Sequence, residues 1–299
     1  MKSPTLPFLV TIFLFLLITS CHTESDSEYN KINIGDVELH YQIHGIGTPL
    51  ILIHGSLADL RYWKEQTAFL KEHFQVITYS RRYNYPNNNQ LQNNHSVTVE
   101  AADLLALMDE LDIDRAYIVG HSYGAYTALW FALEHSKRVS KLVLAEPPLI
   151  KWLSDIPGGE GLEENYMANT WRPIARSFRE GGVREGLELT SKWNFHSPMD
   201  SMPAEWQGYY TDNAKEWHAL TISDDPFPKV DYQKVKGLKI PVLLLSGSTN
   251  SRNMEDLIDG HLAQLLPNNR RVTLKNSGYP MFLDNPNLSN KAIFNFLRQ

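Results

Sequence analysis

The spacing of apolar residues changes along the chain in a regular order. Residues 29–34 and 37–44 alternate apolar and polar positions around Gly35-Asp36, which predicts a hairpin of two strands. "PLILIHG" (49–55) is a continuous apolar run ending in glycine, the pattern of a strand covered on both faces. "LRYWKEQTAFLKEHF" (60–74) has helical spacing, and "FQVITYS" follows it as another buried strand. The series continues with a helix over 96–113, a strand over 116–120, a helix over 123–135 and a strand over 141–145. After a long interval it resumes with strand 241–246, helix 254–265, strand 271–275 and helix 287–298. Strict alternation of this kind predicts an α/β fold, a mostly parallel sheet with helices on both faces.

The interval 147–235 reads as helices and loops without strands, and it holds five of the seven tryptophans: Trp152, Trp171, Trp193, Trp206 and Trp217. An insertion so rich in large aromatics is expected to form a helical cap over the end of the sheet. Most of its tryptophans would glue cap to core, and one or two would line a pocket for an apolar small-molecule substrate or ligand. The core is then 29–146 together with 236–299. The "PNNNQLQNN" patch (86–94) reads as a surface loop.

The first 28 residues follow a different pattern. Lys2 precedes an almost unbroken apolar run from Leu6 to Thr19, short for a membrane span and suited to a signal-peptide core. The run ends in Ile18-Thr19-Ser20-Cys21, which resembles a bacterial lipobox, and Cys21 is the only cysteine. Residues 1–20 are therefore expected to be a lipoprotein signal peptide, Cys21 the lipidated first residue of the mature protein, and 21–28 a polar tether. That places the protein on a bacterial membrane through its lipid anchor, on the periplasmic or cell-surface side. A lone cysteine also excludes an intrachain disulfide.

At 299 residues, 42% hydrophobic and 21% charged, the chain can bury a full core. A net charge of −6 with dispersed basic residues argues against nucleic acid as a partner. There is no phosphate-binding glycine loop, no dinucleotide fingerprint, no H-E-x-x-H and no paired-cysteine metal spacing, so neither a cofactor nor a metal is expected.

The chemistry concentrates in "VGHSYGA" (119–125), a G-x-S-x-G at a strand-to-helix junction. A strained turn at Ser122 needs small neighbours, here Gly120 and Gly124. It exposes the hydroxyl at the carboxyl end of the sheet and turns the Tyr123 amide toward whatever Ser122 attacks. "LIHGS" (52–56) ends an earlier strand, and its bend offers the Ser56 amide as the second donor of an oxyanion hole. His54, belonging to that turn, reads as a brace.

Together with "HGSL", "YSRRYNYPN" and "LAEPPL", these stretches resemble the cap-bearing bacterial members of the α/β-hydrolase fold family over residues 30–299. The resemblance implies an eight-stranded sheet, a cap inserted after the sixth strand, and a Ser–acid–His triad in that chain order. Asn250 stands at one of the two positions where relatives carry the acid, which leaves Glu146 of "VLAEPP" as the candidate. The expected histidine is missing: none of the eleven lies beyond His261, and the matching slot, Gly278-Tyr279-Pro280, holds Tyr279. Of the others, His121 belongs to the elbow and is expected to point away, whereas His196 and His218 lie in the cap and could approach from above. A phenol with a pKa near 10 is a poor base at neutral pH. Two functions remain: a serine hydrolase of ester or related acyl or carbon–carbon substrates with Ser122, Glu146 and Tyr279 at its centre, or a relative that keeps the pocket and binds without turnover.

Overall fold

The computed structural model describes Met1 and residues 29–249 and 253–299. Cys21, the lipobox and Asn250 therefore lie outside the described residues. Eight strands form one sheet: β1 (Asn30–Ile34), β2 (Val37–His44), β3 (Pro49–Ile53), β4 (Gln75–Tyr79), β5 (Ala116–His121), β6 (Val139–Ala145), β7 (Val242–Gly247) and β8 (Asn269–Leu274). Their spatial order is β1-β2-β4-β3-β5-β6-β7-β8. β2 runs antiparallel to β1 and β4, and every later pairing is parallel. The parallel part is built from the continuous aliphatic runs because it is buried on both faces. In β5, Ile118 packs into one core layer and Val119 into the other, both without solvent exposure.

Helices cover both faces: α1 (Lys64–Leu70), α2 (Val97–Glu110) and α3 (Tyr123–Glu134) early in the chain. Between β6 and β7 come only helices and turns, among them α4 (Leu162–Tyr166), α5 (Arg172–Arg179), α6 (Val183–Phe195), α7 (Ala204–Asp212), α8 (Ala214–Ile222) and α9 (Tyr232–Gly237). α10 (Asn253–Leu265), α11 (Met281–Asp284) and α12 (Pro286–Leu297) complete the chain. One core layer joins α2, α3 and α10 to the inserted helices, and the other joins α1 to α11 and α12. The insertion is thus packed as part of the larger core.

Two helices are shorter than their periodicity predicts. The 60–74 pattern divides into a 3₁₀ turn, Leu60–Trp63, begun by the Asp59 carboxylate accepting the Arg61 N–H, and α1. The chain then turns so that His73 and Phe74 N–H both donate to Leu70 O, which aims it into β4. α2 ends at Glu110 because Asp112 adopts φ 53° and Ile113 N–H reaches back to Met108 O at 2.8 Å, a left-handed helix stop.

Candidate functional site

Ser122 is the single residue between β5 and α3, with φ 51° and ψ −121°. Serine rarely takes a positive φ, and the turn holds because its neighbours leave no room for an alternative. A Cβ on Gly120 would collide with Gly124 O, and a Cβ on Gly124 would collide with the carbonyl oxygens of Ile53 and His54. Ser122 N–H donates to Ala145 O at 2.8 Å, and its carbonyl receives Tyr126 N–H at 3.0 Å as α3 starts. The G-x-S-x-G spacing is therefore the condition for α3 to lie against the end of β3.

Tyr279, on the loop after β8, donates its phenol O–H to Ser122 Oγ at 2.5 Å. Two further contacts hold that loop. His121 donates Nε2–H to the Tyr279 carbonyl at 3.0 Å while its ring stacks on Tyr62, with centroids 5.4 Å apart and planes 4° from parallel. The Asp284 carboxylate accepts the Gly278 N–H at 2.7 Å. Glu146, directly after β6, is buried with φ 50°, and its carboxylate accepts the Gly247 N–H at 2.9 Å. Buried Asp259 is pushed well above the usual carboxylate range, first by loss of water and then by the charge of Glu146.

The turn after β3 faces the elbow. Gly55 sits so close that an added Cβ would lie 3.2 Å from Ser122 Cβ and from the His121 ring. His54 is fully buried and braces the turn, its Nδ1–H donating to Gly55 O at 2.9 Å and its Nε2 accepting the Arg81 N–H at 3.0 Å. With both nitrogens engaged, burial and the neighbouring Arg81 hold its pKa well below the ordinary value, so it stays neutral.

A protein-family model described as the alpha/beta hydrolase fold matches residues 48–286. The chain belongs to the α/β-hydrolase fold family. A Caulobacter vibrioides protein named for carbamate hydrolysis is 31% identical over 119 residues, 38% of this chain and 44% of that relative. This alignment therefore spans less than half of the relative's length. The 3-oxoadipate enol-lactonase 1 of Acinetobacter baylyi is 24% identical over 239 residues, 76% of this chain and 80% of that protein. In three dimensions, the enol-lactonase of Burkholderia xenovorans LB400 superposes with a TM-score of 0.73 at 21% identity, covering 90% of this chain and all of that one.

In this α/β-hydrolase the space beside the elbow is divided. One cavity is lined by Ser56, Ser122, Tyr123, Glu146 and Tyr279 below and by Trp193 and Trp217 above. A second is lined by Tyr279 together with Tyr62, Phe195, Trp206, Tyr209 and Tyr210. Ser56, Asn194 and Tyr279 border both. The five residues assigned from sequence thus line one cavity. Trp193, Trp206 and Trp217 all face these spaces, one more than expected, while Trp152 and Trp171 pack as glue. The cap histidines do not arrive: His196 is exposed at the end of α6, and neither it nor His218 lines either cavity. Among the described residues, no group of three or more His, Cys, Asp or Glu side chains is placed to hold a metal ion. Three further contributors had no local signal in the sequence: the His121 bond to the Tyr279 carbonyl, Arg81 beneath the turn, and Glu216, which reaches the turn from the inserted helices.

Proposed function

We propose that this protein is a serine hydrolase of esters or related acyl or carbon–carbon substrates, slow because its triad histidine is replaced by Tyr279. The observation that carries the reading is the Ser122 hydroxyl on a strained elbow, in one cavity with Glu146 and the Ser56–Tyr123 pair. Ser122 Oγ would attack the acyl carbon while the N–H groups of Ser56 and Tyr123 take up the oxyanion charge. Proton transfer is the weak point. A histidine there would draw the hydroxyl proton away, whereas the Tyr279 phenol donates its own proton toward Oγ and lowers its nucleophilicity. Glu146 would then serve as the acid of a triad whose base is missing. Hydrolytic relatives, named for carbamate and enol-lactone substrates, support acyl chemistry. The aromatic walls of both cavities favour apolar substrates.

The same 2.5 Å bond supports a second reading, a binding protein that keeps the pocket and releases ligands unchanged. Reaction with a fluorophosphonate separates the two. A serine hydrolase forms an adduct on Ser122, slowly, and the Ser122→Ala variant forms none. Absence of an adduct after prolonged exposure, alongside tight retention of an apolar ester, would leave the binding reading.

A further inference from the structure

We infer that Glu216 of the inserted helix α8 is a positioning residue for the oxyanion turn, so that the hole is complete only while the inserted helices are seated. The inference rests on the proposed role of the Ser56 and Tyr123 amides.

The turn has an unusual need for support. Leu57, the residue after Ser56, is held at φ 54°, a conformation that a leucine side chain disfavours. The Ser56 amide lies on the Gly55–Ser56 peptide, whose carbonyl accepts from the Arg81 Nη2 that Glu216 also pairs, and the next peptide, joining Ser56 to Leu57, must be held as well for Ser56 to keep its backbone angles. The core supplies part of the restraint. Arg81, fully buried, donates from Nε to His54 O at 3.2 Å and from Nη2 to Gly55 O at 3.1 Å, and Asn84 Nδ2 donates to Ala58 O at 2.9 Å. These bonds fix the residues on either side of the strained one. Leu57 itself is held by the insertion: its N–H donates to Glu216 Oε2 at 2.9 Å.

Glu216 is placed to do this and little else. Its side chain has no solvent exposure, Oε2 also accepts Asn84 Nδ2 at 3.0 Å, and Oε1 is paired with the Arg81 guanidinium. One carboxylate thus ties together the strained residue and both core side chains that brace its flanks. Asn213, at the start of α8, adds a second tie. It accepts the Tyr85 N–H at 2.7 Å and donates to Asp59 at 2.8 Å, just beyond the turn. Lifting α8 would strand the Leu57 N–H and remove the Glu216 carboxylate that pairs with buried Arg81. A seated cap and an ordered oxyanion turn are then one state, and substrate entry that lifts α8 switches the hole off.

Native-state hydrogen exchange on the unmodified protein, across a series of sub-denaturing urea concentrations, tests the coupling without any use of activity. The Leu57 amide and the amides of α8 should exchange through a single opening with one urea dependence. A Leu57 amide that stays protected after α8 has exchanged, or exchanges freely while α8 is protected, would overturn the proposal. Glu216→Gln adds the chemical readout. At a temperature where the variant is fully folded, fluorophosphonate labelling of Ser122 should slow by about 10²-fold, the scale of losing one oxyanion donor. Labelling at the wild-type rate with unchanged Leu57 exchange would show a packing role alone. Should even the wild type form no adduct, the hydrolase reading fails and the exchange result still decides the coupling.

Discussion

At the scale of single residues, three side-chain-bearing positions adopt left-handed backbone where the candidate chemistry lies: Leu57, Ser122 and Glu146. Strain of this kind persists only where the surroundings over-determine it, and here glycines do that at the elbow. Gly124→Ala should therefore cost about 3 kcal/mol, since the new methyl meets two carbonyl oxygens that the sheet cannot move. Urea denaturation would measure it, and a variant as stable as wild type would mean that α3 does not lie against the end of β3. The elbow position of Ser122 was legible in the sequence because a small-residue frame is a local signal, whereas Glu146 came forward only through the resemblance. The bond from Tyr279 to Ser122 was not legible, because it joins residues 157 apart. That Tyr279 takes a histidine's slot is what the resemblance implies; only the fold shows the phenol turned onto the serine.

At the scale of elements, the strands were readable, and so were α3, α10 and α12 to within one residue, whereas the ends of the 60–74 and 96–113 helices were not. Aliphatic runs such as "PLILI" mark strands buried on both faces, and their limits moved by two residues at most. The 60–74 pattern failed as a single helix because a buried Asp59 cap and the return into β4 override its periodicity. Unreadable as well was the ion cluster between β4, α2 and α8, where Arg81 meets Glu100 and Glu216. Within it, Glu100 has its pKa raised to about 8, chiefly by burial. A carboxyl whose folded pKa lies above its unfolded value binds more protons when folded, so its stabilisation is complete below about pH 4.5 and is lost as pH rises to about 8. Buried His54 and His95 act oppositely. Their pKa values are depressed, so their contribution is lost only as pH falls below about 6.5. Between pH 6.5 and 8 the histidine contributions are complete, and the Glu100 effect acts together with that of buried Asp259, whose carboxyl is also raised by burial. Melting temperature should decline across that window in wild type and decline less steeply in Glu100→Gln; parallel curves would place the proton elsewhere.

At the scale of the whole molecule, the fold class followed from alternation, and the eight-stranded order with a helical insertion between β6 and β7 matches the resemblance. How the insertion grips the oxyanion turn could not be read, because Glu216 and Leu57 are 159 residues apart. The proposed lipid anchor belongs to this scale too. Mass spectrometry of the mature protein should find a diacylglyceryl group on Cys21, and an unmodified N-terminus at another residue would refute the anchor. The central claim is that a complete hydrolase frame lacks only its base. Steady-state hydrolysis of p-nitrophenyl esters by wild type and Tyr279→His, with Ser122→Ala as background, tests it most directly. Loss of a triad histidine costs on the order of 10⁴- to 10⁶-fold, so an imidazole restored beside Ser122 should raise kcat by about 10²-fold or more. A wild type that already turns over briskly, and slows when Tyr279 becomes histidine, would contradict the account and make the phenol a working catalytic group.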